Sequence, residues 1–312
     1  MARVLIAGCG YLGLELGRRL LAQGHSVAGL RRRIGNLPDG FPNGFTAVEA
    51  DLSQPSTLAV LRDPFDFVFY TAAADRGDDR SYRQAYVDGP RNLLQRLDEL
   101  EHPPQRVFFA SSTRVYPQSS GESVNELSPT RGDDFRSRRL LEGERVLQNA
   151  SAPCTIVRFG GIYGPGRMSL ARGVAEGRFC LDAGKSRYTN RIHRDDAASL
   201  LHHLMGLEGP QLHYLGVDSD PATRNEVLRW LADKLAVPLP SSSSSPDPTA
   251  KSTATRSGKH SSQGKRCSNG RILATGYSFL YPSFRQGYSA LLDASPLRSL
   301  RQPLGSPPTA SR

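Results

Sequence analysis

Short apolar runs recur through the first two thirds of the chain, and stretches with helical spacing separate them. The runs are Val4–Ala7, Ser26–Leu30, Thr46–Glu49, Phe67–Thr71, Val107–Ser111 and Thr155–Phe159. Helical spacing marks Leu12–Ala22, Tyr82–Leu100 and Arg136–Asn149. This alternation predicts an α/β fold, a doubly wound parallel sheet with helices on both faces. Runs this apolar suit strands covered on both sides. After Tyr163 the regularity breaks. "GPGR" (Gly164 to Arg167) reads as a turn and a short helix follows it. Phe179–Leu181 and Tyr188–His193 read as short strands, and Asp195–Leu207 and Ala222–Leu235 as helices. These pieces are expected to build a small, discontinuous C-terminal lobe.

Pro240 to Lys265 is Ser-rich low-complexity sequence with too little apolar surface to order itself. Order is expected to return at Asn269–Leu291, and residues 295–312 are expected to be a disordered tail. This composition changes the meaning of the net charge of +10. Residues 241–270 carry +4 and residues 294–312 carry +3, so seven of the ten charges lie in those two segments. Solvated flexible segments explain them, with a weak polyanion contact as the alternative, and no specific nucleic-acid partner is expected. The four cysteines form no CxxC pair and no histidines cluster at ligand spacing, so neither a disulfide framework nor a metal is expected. No apolar run reaches membrane-span length and no leader pattern is seen. A cytoplasmic monomer or homodimer without membrane contact is the expectation.

The first run leads into Gly8, Gly10 and Gly13, which give G-x-G-x-x-G between a strand and a helix. The first glycine permits the tight turn, the second lets backbone approach a pyrophosphate, and the third allows close helix packing. The helix start, with Tyr11 and Leu12, offers free N–H groups to phosphate. In this context the motif predicts a dinucleotide site. The second strand then ends in Arg31, Arg32 and Arg33, where an NAD-binding unit usually carries an acid. Guanidinium groups grip a 2′-phosphate, so NADP(H) is expected over NAD(H). Asp51 and Leu52 are placed to flank the adenine, and Ala72 and Ala73 to let the cofactor lie against backbone. Residues 1–165, completed by about 194–218, are assigned to this Rossmann domain, and 166–193 with 219–293 to a substrate lobe. Cys9, beside a helix N-terminus, is expected to favour its thiolate.

With these motifs the chain resembles the extended short-chain dehydrogenase/reductases, the group of nucleotide-sugar epimerases and dehydratases. The resemblance spans most of residues 2–237 and includes "GCGYLG", "FFASSTRVY", "VRFGGIYGPG" and "NRIHRDDAASLL". "NRIH" with "DD", and Gly264 to Tyr288, are similar to an atypical, YeeZ-like subgroup. The resemblance implies an NAD(P)-dependent oxidoreductase or epimerase acting on a sugar-like or other small polar substrate. It places Ser112, with Thr113 beside it, at the substrate oxygen. The family's Tyr-x-x-x-Lys is absent: no Tyr occurs between Tyr116 and Tyr163, and the first lysine is Lys185. Phe135 and Arg139 have the matching spacing, and Tyr86 stands for the family's Asn. Phe cannot donate a proton, whereas Arg could hold a ribose. Tyr116 and Tyr163 are read either as substitute acid/base groups or as aromatic packing residues. His193 is read as structural or substrate-facing, Arg191 as a grip for an anionic substrate, and Asp196 as a helix cap. A catalytically inactive NADPH-binding regulator or assembly factor is the alternative function.

Overall fold

The computed structural model describes residues 1–36, 44–182, 186–240 and 263–295. Its centre is a seven-stranded parallel sheet made by β1 (Arg3–Ala7), β2 (Ser26–Arg31), β3 (Phe45–Glu49), β4 (Phe67–Tyr70), β5 (Arg106–Ser112), β7 (Cys154–Phe159) and β10 (His213–Gly216). The spatial order is β3-β2-β1-β4-β5-β7-β10. Consecutive residues Val4, Leu5 and Ile6 are fully buried, so both faces of β1 are covered. On one face Leu12, Leu16 and Leu20 of α1 (Tyr11–Ala22) meet Leu200, Leu201 and Leu204 of α6 (Arg194–Met205). On the other, Leu93, Leu94 and Leu97 of α3 (Gly89–Asp98) join Leu147 of α4 (Phe135–Gln148). The six strands read from the sequence are all present. The seventh, β10, has only the four residues HYLG and no periodic signal.

Strand order reverses at β1: β2 and β3 lie on one side, β4 and β5 on the other. Ala7, the last residue of β1, pairs with both Leu30 and Tyr70. Loops from β2 and β4 therefore diverge from a common point and leave a crevice at the carboxyl edge, where ligands of such sheets bind.

The helix expected over Tyr82–Leu100 is interrupted. α2 (Asp79–Arg83) runs through a π turn at Gln84–Asp88 into α3. Close packing against α4 accompanies the turn: a Cβ on Gly143 would sit 2.0 Å from the Tyr86 carbonyl oxygen. A third apolar cluster joins α5 (Ser169–Ala175), α7 (Arg224–Leu235) and α9 (Phe284–Asp293) through Val174, Val227, Leu231, Phe284 and Leu292. β8 (Gly161–Tyr163) and β9 (Arg191–His193) pair beside it. Phe179–Leu181 forms no strand.

Order returns earlier than Asn269. Gly264–Cys267 forms β11, parallel to β6 (Ser120–Val124), so Gly264 and Lys265 are not part of a disordered insert. Cys267 is buried, and Lys265 donates to the Tyr116 carbonyl. Both strands are polar in sequence, SGESV and GKRC, so neither carried an apolar signal. The rest of the Ser-rich segment, 241–262, and the tail 296–312 lie outside the described residues.

Candidate functional site

The turn from β1 to α1 is closed by contacts that exclude side chains. Gly8 has φ +84°, and a Cβ there would lie 2.3 Å from the Ala72 backbone nitrogen. The Gly8 and Cys9 N–H groups donate to the Leu30 carbonyl, and Thr71 Oγ1 donates to the Gly8 carbonyl at 3.0 Å. Gly13 packs on Ile6 and Thr71, so its role is helix packing. Gly10 differs: among the described residues, the nearest atom that a Cβ there would meet beyond its chain neighbours is the Gly8 carbonyl oxygen at 3.8 Å. Gly10 is also the N-cap of α1 and offers no side-chain acceptor to the first N–H groups. That open approach and those donors fit a pyrophosphate.

A groove of about 1130 Å³ runs over this turn. Gly8, Gly10, Tyr11, Leu12, Arg31, Arg32, Asp51, Leu52, Ala72 and Ala73 all line it. Arg33 lines it too, and Arg32 forms an ion pair with Asp75 at 2.7 Å. Asp51 closes its own loop by accepting from Ser53 N–H and Oγ–H. Cys9 lines the groove but is wholly buried, and burial pushes its thiol up to about 12 against the opposing charge of Arg31. Desolvation thus outweighs the helix terminus, and the expected thiolate does not form.

At the other end the groove is lined by Ser111, Ser112, Tyr86 and Phe159. Ser112 Oγ accepts from the Arg114 N–H at 3.2 Å. Tyr86 is the phenol here, pushed up to about 12 by burial. Thr113 is buried outside the groove. Tyr116 is not brought to it either: Arg158 Nη1 donates to its hydroxyl at 2.8 Å, and burial raises its pKa. Phe135 and Arg139 also stand away. Phe135 meets the Tyr82 ring edge-on, and Arg139 donates to both Asp79 oxygens at 2.8 and 2.9 Å and to Glu142 at 2.8 Å. Asp79 and Glu142 thus engage the guanidinium that the spacing suggested for a ribose.

A second cavity, about 520 Å³, adjoins the groove and shares Ile162 and Arg167 with it. Arg167 lies 4.1 Å over the Tyr11 ring, at the boundary. Tyr163, Arg172, Arg191 and Tyr288 also line this cavity, and no carboxylate among the described residues does. Tyr163 Oη and Arg191 Nη1 are buried with no hydrogen-bond partner among the described residues, while Arg191 Nη2 donates to Thr189. Tyr163 stacks on Tyr288 at 4.5 Å, and burial raises its pKa far above the ordinary phenol value. His193 lies behind Tyr163, with ring centroids 5.4 Å apart. Its Nδ1 accepts from the Asp195 N–H, so His193 caps α6 and its Nε2 carries the proton of the neutral ring. Burial lowers its pKa to about 4. Asp196, expected as that cap, instead accepts from the Leu280 and Tyr281 N–H groups at 2.7 and 2.9 Å. It ties the C-terminal segment to α6.

Sequence reading missed Arg167, Arg172, Asp75 and Asp218. The arginine at the end of "GPGR" was a legible signal; the others depend on folding. Asp218 is 2% exposed, and burial raises its carboxyl to about 8 despite the charge of Arg191. Its folded-state pKa is above the unfolded one, so its contribution is full below about pH 4 and is lost as pH rises towards about 8. Asp218→Asn is expected to flatten the decline of melting temperature between those values. Parallel slopes for wild type and variant would refute this.

The model of the "NAD dependent epimerase/dehydratase family" matches residues 4–205. The chain belongs to that family. Protein YeeZ of Escherichia coli (strain K12) is 28% identical over 297 residues, covering 90% of this chain and 97% of that protein. The 2-alkyl-3-oxoalkanoate reductase of Stenotrophomonas maltophilia (strain K279a) is 27% identical over 222 residues, covering 67% and 66%. A solved structure assigned to the NAD-dependent epimerase/dehydratases, from Methylobacillus flagellatus, is 38% identical with TM-score 0.74, covering 94% of this chain and 98% of that one. The seven-stranded sheet is accordingly the NAD(P)-binding fold of this epimerase/dehydratase family. Among the described residues no helix is long and apolar enough to cross a membrane, and no three His, Cys, Asp or Glu groups are placed to hold a metal.

Proposed function

We propose that this epimerase/dehydratase-family protein binds NADP(H) in the long groove and acts as an oxidoreductase or epimerase on a small, anionic, sugar-like substrate in the adjoining cavity. The supporting observation is that the two spaces share Ile162 and Arg167 in their walls, and that arginines line the second with no carboxylate among the described residues. When bound, the nicotinamide supplies the hydride donor or acceptor. The chain's own groups do the rest. The first N–H groups of α1, at Tyr11 and Leu12, cradle the pyrophosphate, and Gly8 and Gly10 let it approach the backbone. Arg31 and Arg32 hold the 2′-phosphate, Asp51 and Leu52 border the adenine, and Ala72 and Ala73 leave room for the chain between. Ser112 Oγ–H meets the substrate oxygen, with Thr113 buried behind it. Arg191 Nη1 and Tyr163 Oη, both without a hydrogen-bond partner among the described residues, bind the anionic substrate. A phenol with so raised a pKa donates a hydrogen bond and is a poor general base. His193 supports Tyr163 from behind. The reductase activity named for the Stenotrophomonas relative supports hydride transfer as the reaction class.

Titration by calorimetry should show NADPH binding roughly tenfold or more tighter than NADH, since a charge-assisted hydrogen bond contributes about 1.5–3 kcal/mol. Tighter binding of NADH would end the NADP(H) reading. For the substrate, NADPH oxidation should be followed with phosphorylated and carboxylated carbonyl sugars. Arg191→Gln should raise KM with cofactor affinity unchanged, and an unchanged KM would remove Arg191 from the site. A second reading, an NADPH-binding regulator or assembly factor, is favoured by one observation: Arg139, which with Phe135 has the spacing of the usual Tyr and Lys, is engaged by Asp79 and Glu142. Tight NADPH binding with no turnover across those substrates would select it.

A further inference from the structure

Arg32 and Asp75 come from opposite lips of the groove. Arg32 directly follows β2, and Asp75 lies a few residues beyond β4. Because β1 sits between those strands, their ion pair crosses the end of β1, above the glycine turn. The contact is a single hydrogen bond of 2.7 Å between Arg32 Nη2 and Asp75 Oδ1, with both side chains 57% exposed. Asp75 therefore occupies one edge of the guanidinium that a 2′-phosphate would seek. Asp51 adds a second, more distant negative charge to Arg32.

We propose that Asp75 is a cofactor-selectivity residue, competing with the 2′-phosphate for Arg32. The proposal rests on the NADP(H) reading of the groove. A phosphate dianion that reaches Arg32 must displace Asp75 or share the guanidinium with it, and the two anions repel. An unphosphorylated ribose meets no such opposition, because its hydroxyl donates to a carboxylate. Asp75 thus narrows the advantage that the arginine run confers on NADPH.

The test is equilibrium binding of NADPH and NADH to the wild-type chain and to Asp75→Asn, which keeps the shape and removes the charge. The ratio of the NADH to the NADPH dissociation constant should rise roughly tenfold. Nearly all of the change should come from NADPH. Adding Arg32→Gln should cancel the gain. Asp63→Asn removes the same charge from an exposed pair with Arg3, outside the groove, and should leave the ratio alone. A ratio for Asp75→Asn within about twofold of wild type overturns the proposal. An equal shift from Asp63→Asn does so too, because it would reduce the effect to net charge. Fold loss is not an obstacle: exposed ion pairs contribute little to stability, so melting should barely move. A wild-type preference for NADH would overturn the underlying reading, while the change in ratio would still judge Asp75. No binding of either dinucleotide would sink both.

Discussion

Gly8→Ala is expected to abolish NADPH binding and to destabilise the chain by about 2–5 kcal/mol. The left-handed backbone costs a non-glycine residue roughly 1–2 kcal/mol, and forcing a methyl into a packed site adds about 1–3. The second part has no easy relief. The clash at 2.3 Å is with the backbone of Ala72, and the atom next nearest is the Ala72 Cα at 2.4 Å. To make room, the loop after β4 must move away from the glycine turn, and both are walls of the groove. Gly10→Ala is the matched comparison. Among the described residues its Cβ would meet the Gly8 carbonyl oxygen alone, at an ordinary contact distance of 3.8 Å. Stability should therefore change little while NADPH affinity falls, because the methyl points into space reserved for the pyrophosphate. Denaturant unfolding and calorimetric titration of the two variants separate the effects. Retention of wild-type affinity by Gly10→Ala would show that no phosphate lies there.

Glu144→Ala is expected to cost about 3–5 kcal/mol, the range for breaking a buried ion pair from one side. Glu144 and Arg158 are 3% and 5% exposed, and their two contacts measure 3.0 and 2.7 Å. Ser111 donates to the same carboxylate at 2.6 Å, and Arg158 reaches on to Tyr116. Removing the carboxylate leaves a guanidinium uncompensated inside the protein and a serine without its acceptor. Replacing the pair together, Glu144→Leu with Arg158→Met, should recover most of the loss, since burial of two charges offsets much of what their attraction gains. If the double variant is as unstable as the single one, the cost lies in packing and not in charge. The network joins β5, α4 and β7 directly behind Ser112. The single variant should therefore also disturb the Ser112 end of the groove, seen as weaker NADPH binding in whatever fraction remains folded.

Much of this protein was legible in its residue order alone. Six of the seven sheet strands and the helices between them follow from apolar runs and helical spacing, because each face of a buried strand must be covered. The glycine turn was legible for a local reason: its conformation is written in three nearby positions, Gly8, Gly10 and Gly13. Tyr116 shows where this ends. It stands where a catalytic phenol was sought, but Arg158, 42 residues further along, claims its hydroxyl. Cys9 reads as a thiolate from its place before a helix and is a neutral thiol because the sheet buries it. The polar strands β6 and β11 carry no periodic signal and exist through their pairing with each other. The arginine-lined cavity joins residues from 161 to 288, and the clasp of Arg32 on Asp75 crosses an intervening strand. Local sequence encodes preferences that a short stretch can satisfy by itself, such as backbone shape and apolar period. Burial, charge pairing and access to a groove depend on groups far apart in the chain, so only the folded arrangement decides them.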